Sequence, residues 1–79
     1  MVDIHPSARK HGIADEDIEH AVNHAMAIDD TNNDGRLYIG PARNAVLLEV
    51  LTVPLIEGPE RAIHAMLMRP KYRHLLPEH

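Results

Sequence analysis

Residues 45–53 read Ala45-Val-Leu-Leu-Glu-Val-Leu-Thr-Val53, a largely aliphatic run interrupted by a single charge, Glu49. Val, Leu and Thr in this density suit a strand. Shorter strand-like segments on both sides make it the central one. Period two puts Glu49 on the same face as Leu47 and Leu51. A carboxylate in a central strand either looks into solvent or is paired. The cations that neighbouring strands can offer it are Arg36, His64 and Arg69. Two readings follow: a structural ion pair, or a general base or orienting carboxylate in a basic cleft.

Outward from this run, Arg36-Leu-Tyr-Ile-Gly40 reads as a strand, joined to it by a turn over Pro41 to Asn44. Ile56-Glu-Gly-Pro-Glu60 is a second turn, and Arg61 to Met68 a third strand closed by Pro70. Residues 71–76 suit a last helical turn. Asp29-Asp-Thr-Asn-Asn-Asp-Gly35 is turn chemistry throughout, and a fourth strand around 27–30 is compatible with the pattern. Before it the apolar period is helical. Ile18, Ala21, Val22, Ala25 and Met26 form one stripe on a helix over residues 16–27, with Asp15 as N-cap and an acidic first turn. A shorter helix spans 5–11, with Pro6 in its first turn and Gly12 ending it. These elements predict one α+β domain over residues 1–79: N-terminal helices packed on a small antiparallel sheet of three or four strands, with a short C-terminal helix.

Seventy-nine residues lie near the lower limit for an unassisted core, and with no cysteine neither a disulfide nor a thiolate metal site can help. Stability therefore rests on aliphatic packing or on a partner that covers apolar surface. With no Phe or Trp and only Tyr38 and Tyr72, the chain lacks the aromatic platform on which single strands stack. No apolar run approaches the roughly 20 residues of a membrane span, and no signal peptide precedes the first helix, so a cytoplasmic protein without membrane contact is expected. The net charge of −4 is unevenly spread. Residues 14–34 carry seven acids and no Lys or Arg, while residues 61–79 carry a net +3. The basic end suits phosphate; the acidic stretch suits solvent or a basic partner. Seven histidines predict a change of behaviour near pH 6.

Several motifs invite chemistry. Asp30-Thr-Asn32-Asn-Asp34-Gly35 opens like a calcium loop, but position twelve is Pro41, where a bidentate Glu is needed. His20 and His24 have metal-ligand spacing on one helix, opposite the Ile18/Val22 stripe and therefore facing solvent. Asp17 is the available third ligand, and no fourth is evident, so no metal or other cofactor is expected. Arg69-Pro-Lys-Tyr-Arg-His74 is the densest polar cluster. Arg69, Lys71 and Arg73 suit phosphate, whereas Tyr72 and His74 can move protons. The same cluster also reads as a solvated tail. Ser7 is the only serine and no glycine-rich phosphate loop is present, so a nucleophile constellation is missing.

The order Arg9-Lys-His-Gly-Ile13, an acidic helix, Asp29-Asp30, Arg36-x-x-Ile-Gly40, Leu47-Leu-Glu-Val50, then Ile63 to Arg69-Pro70 resembles the BrnT group of bacterial toxins. Shared order and spacing over most of the chain carry this likeness. It implies a RelE-like fold and a ribonuclease toxin of a type II toxin–antitoxin pair, cleaving RNA without a metal and covered by a cognate antitoxin. Lys10, His11, Arg36 and Arg69 match the motif's polar residues; Glu49, Tyr72 and Arg73 come from the residue reading above. Expected roles are phosphate binding by Arg36 and Arg69, base catalysis by Glu49 or His64, and proton transfer by Tyr72 or His74. Lys10, His11, Lys71, Arg73 and His74 would hold RNA. The competing expectation is a non-catalytic module or degenerate relative that assembles with a partner, its sheet edges also favouring homo-oligomers. Arg36, Glu49 and Arg69 converging in one cleft would favour the first, and their projecting to different faces would remove most of its support; a plain surface ion pair at Glu49 would favour the second.

Overall fold

A computed structural model of the chain describes residues 2–30 and 35–77. The α+β class is as the sequence predicts, but the sheet is larger and mixed. Among the described residues there are five strands: β1 (Asp3–Ile4), β2 (Ala27–Asp30), β3 (Arg36–Pro41), β4 (Leu47–Val53) and β5 (Arg61–Leu67), in spatial order β1-β5-β4-β3-β2. β4, the Glu49 strand, is central. β1 is the strand that the sequence reading lacks. It is two residues long and parallel to β5, tied by Asp3 N–H to the Glu60 carbonyl and His5 N–H to the Ala62 carbonyl, both 2.9 Å. A two-residue element has no periodicity to read. The residues of the calcium-like loop at 31–34 lie outside those described.

Helix α1 (Asp15–Asn23) is shorter than the apolar stripe suggested. Met26 donates its N–H to the Ile39 carbonyl at 2.7 Å, and Ala27–Asp30 then pair with β3. Strand pairing thus claims the last residues of the stripe, and Met26 is exposed rather than core. Ala14, not Asp15, occupies the N-cap position, without a side-chain cap. The Asp15 carboxylate is taken by the Arg9 fork at 2.9 and 2.7 Å. The helix expected over 5–11 is a single 3-10 turn, Pro6–Arg9, and residues 71–76 are a 3-10 helix at Pro70–Leu75. β4 starts at Leu47 because Ala45 has φ of 73° in the preceding turn, where its N–H meets the Ala42 carbonyl at 2.8 Å.

The two faces of the sheet have different fates. One packs under α1 and the first 3-10 turn. Ala8, Ile18 and Ala21 meet Tyr38, Leu48, Val50, Ala62 and Ala65 there. Small residues let the helix sit close, and Gly40 is the tightest point. A Cβ on Gly40 would run into the Ala21 carbonyl oxygen and lie 3.0 Å from the Ala25 Cα. The other face carries Leu37, Ile39, Glu49, Leu51, His64 and Met66, as the register pairs show. Part of it is roofed by the C-terminal 3-10 helix.

A bulge sets which side chains of β5 go where. Leu51 pairs with His64, but the next residue, Thr52, pairs with Ala62, so Ile63 is the extra residue. The Ile63 carbonyl is satisfied by the Ser7 hydroxyl at 2.7 Å. Ala62 and Ala65 both reach the helix side, which strict alternation forbids, while His64 reaches the other.

Gly40→Ala is expected to destabilise the fold by about 1–3 kcal/mol, the usual cost of overpacking. Urea unfolding followed by circular dichroism checks it; an unchanged midpoint would show that helix α1 can move away from β3.

Candidate functional site

The open face of the sheet carries a groove of about 400 Å³ lined by Asp29, Leu37, Glu49, Leu51, His64, Arg69 and Tyr72. Its floor is one cross-strand row: Asp29 pairs with Leu37, Leu37 with Leu51, and Leu51 with His64. Glu49 lies in the adjacent row. Arg69 follows β5, and Tyr72 comes from the C-terminal 3-10 helix.

Glu49 is fully buried, so its carboxylate needs partners, and it has four bonds from two residues. Arg69 donates from its backbone N–H and Nε to Oε1, both at 3.0 Å, and from Nη2 to Oε2 at 2.7 Å. His64 Nε2 lies 3.0 Å from Oε2. Burial pushes the carboxyl up, but the bonds from Arg69 and His64 together outweigh it and bring its pKa down to about 2. The carboxylate is therefore an acceptor throughout the neutral range. With an ionised carboxylate as its partner, His64 Nε2 is the donor, and Nδ1 has no hydrogen-bond partner among the described residues. Held this way, Glu49 fixes the positions of the His64 ring and the Arg69 guanidinium.

Around this core, the His11 ring meets His64 edge-on at 5.6 Å between centroids. The Tyr72 ring has the Arg69 guanidinium carbon 5.6 Å and the Lys71 ammonium 5.1 Å from its centre. So Glu49, His64, Arg69 and Tyr72 converge, with His11 and Lys71 next to them. Arg73 and His74 are exposed on the 3-10 helix, and Lys10 is exposed beyond the first 3-10 turn; none of the three lines the groove.

Arg36 does not join the cluster. Its register partner is Thr52, so it belongs to the opposite face from Glu49. There it binds Asp30 at 3.0 Å and lies 3.9 Å from Glu60. Glu60 also accepts from Tyr38 (2.5 Å) and Thr52 (2.7 Å), which anchors the β4–β5 turn to the sheet.

The sequence reading passed over Asp29, Leu37 and Leu51 as parts of the groove. The available signal was strand phase: if 27–30 is a strand, Asp29 falls in the Leu37 row. His20 was expected to face solvent. It is instead partly buried and donates from Nδ1 to the Pro41 carbonyl at 2.7 Å, with its ring 4.3 Å from that of His24. Asp17 is engaged by Arg43 at 2.8 Å. Among the described residues no three His, Asp or Glu side chains gather as a metal site, and no helix is long and apolar enough to cross a membrane.

Comparison with protein-family models, with curated proteins and with solved structures finds no match to the chain.

The depressed Glu49 pKa has a signed consequence. A carboxylate favoured in the folded state contributes stability that is fully present above its ordinary value of 4.5 and is lost as pH falls through about 2. Glu49→Gln should lower stability at pH 7 by about 1–3 kcal/mol. It should also flatten the decline between pH 5 and pH 2. Urea titrations across that range test both; parallel wild-type and variant curves would exclude Glu49 as the group responsible.

Proposed function

We propose that the chain is a metal-independent ribonuclease acting as the toxin of a toxin–antitoxin pair, with the groove as its active site. One observation carries the reading: a fully buried carboxylate holds an imidazole and a guanidinium together on the wall of an open groove.

The chemistry suits RNA. The 2′-hydroxyl attacks the adjacent phosphorus, the 5′-oxygen leaves, and a 2′,3′-cyclic phosphate forms. His64 Nδ1 takes the 2′-hydroxyl proton. Arg69 binds the phosphate through the donors that Glu49 leaves unused and stabilises the charge that builds there. Tyr72, on the groove wall, protonates the leaving oxygen, and His11 and Lys71 add to the RNA contacts. Arg36 drops out of the phosphate-binding role, and Glu49 is a positioning residue rather than the base. Lys10, Arg73 and His74 remain as contacts to RNA beyond the groove. The cognate antitoxin would cover the groove.

The second reading, a non-catalytic module that assembles with a partner, is favoured by a different observation. Arg36, a residue of the matching motif, is spent on Asp30 and Glu60 away from the groove.

Purified protein incubated with single-stranded RNA in a chelator separates the two. Under the first reading cleavage survives the chelator, leaves 2′,3′-cyclic ends, and falls at least 100-fold in His64→Ala, the usual scale for losing a general base. Arg36→Ala should keep its activity. Arg69→Ala is a poor probe, because it strands the buried Glu49 charge and should cost stability. Arg69→Lys, with its fold checked, is the better one. Intact RNA with folded wild-type protein would give the case to the interaction module.

A further inference from the structure

The groove has two chemically opposite ends. The row Asp29–Leu37–Leu51–His64 crosses four strands, so its ends lie about 14 Å apart at ~4.8 Å per strand. At the β5 end stand His64 and Arg69. At the β2 end stands Asp29, whose carboxylate has no ion pair or side-chain hydrogen bond among the described residues and lines the groove. Its neighbour Asp30 is committed to Arg36 at 3.0 Å. Between the ends lies an apolar floor, Leu37 and Leu51, with Tyr72 as a wall.

We propose that this groove binds a guanine nucleotide, with Asp29 reading the base and Arg69 holding its phosphate; the proposal rests on reading the groove as an RNA site. The floor suits the flat face of a base, since unstacked bases are gripped between apolar or aromatic side chains and read on their edges. Asp29 selects among bases because an ionised carboxylate only accepts. Guanine offers it two adjacent donors, N1–H and the N2 amino group, matching its two oxygens. Adenine and cytosine each offer one amino group beside a ring nitrogen that also accepts. Uracil offers one N–H flanked by two carbonyls. Each of these three sets an acceptor against the carboxylate. The phosphate then falls toward Arg69 and His64, where the reacting atoms are needed, so the base contact fixes which phosphodiester is presented.

Calorimetric titration of the full chain with the four nucleoside 3′-monophosphates and with inorganic phosphate tests this. Guanosine 3′-monophosphate should bind about tenfold or more tightly than the other three, the scale of one good bidentate base contact. Asp29→Ala should abolish that preference and leave the affinity for inorganic phosphate unchanged. Asp29 is exposed, so the variant should fold, and circular dichroism verifies that. Four nucleotides binding alike, a preference for another base, or a guanine preference that survives Asp29→Ala would each overturn the assignment. The same holds if no mononucleotide binds. Cleavage of RNA in the same preparation then decides whether the ribonuclease reading stands without the base assignment or falls with it.

Discussion

Glu49 is a charge in the middle of the central strand of a domain of only 79 residues, and much of the architecture answers to it. Left alone, a buried carboxylate would be too costly to keep ionised. Arg69 removes that cost by donating from both backbone and side chain, and it can do so only if the chain turns back over the sheet directly after β5. The turn brings Pro70–Leu75 across the open face, and with it the wall of the groove. A buried ion pair of this kind is weak as a net source of stability, since an apolar pair of equal volume would often do as well. It is strong as a constraint on where the C-terminal segment goes.

The same sheet keeps two polar systems apart. On the helix side, Glu60 gathers Tyr38, Thr52 and Arg36, closing the β4–β5 turn over the core. Burial pushes the Glu60 carboxyl up, but its hydrogen bonds and the nearby Arg36 hold it below the usual range. On the other side, Glu49 gathers His64 and Arg69 beside open space. Both are carboxylates held by neighbours, and they differ in what else is within reach. Around Glu60 stand buried Tyr38 and Thr52 and a half-exposed Arg36; around Glu49 the partners border the groove.

The elements with strong local signals were legible in the sequence. The aliphatic strand, observed over Leu47–Val53, and the turns follow from hydrophobic period and turn residues; for Glu49 the sequence narrows the choice to solvent or a partner among Arg36, His64 and Arg69, of which the structure uses the last two. Arg36 was the third candidate partner, and its failure has a simple cause. Its position relative to Glu49 depends on the register between β3 and β4, which is set by the intervening turn. Ala45, with a positive φ and no glycine to announce it, hides that turn geometry. Strand β1 and the early end of helix α1 were illegible for a related reason. Both are decided by hydrogen bonds to residues far along the chain, Glu60 and Ala62 in one case and Ile39 in the other.

The extra residue at Ile63 ties the core to the groove by arithmetic rather than by contact. Because the bulge shifts the phase of β5 by one position, Ala62 can fill the helix-side core while His64, two places on, emerges beside Glu49. A drift in amino-acid identity at 63 leaves this arrangement alone, since the position acts through its presence and through its carbonyl, held by Ser7. A change in length does not. Insertions and deletions within β5 are therefore far less permissible than substitutions. Any lineage descended from this chain should keep the interval between Ala62 and Arg69 fixed even where its side chains have diverged.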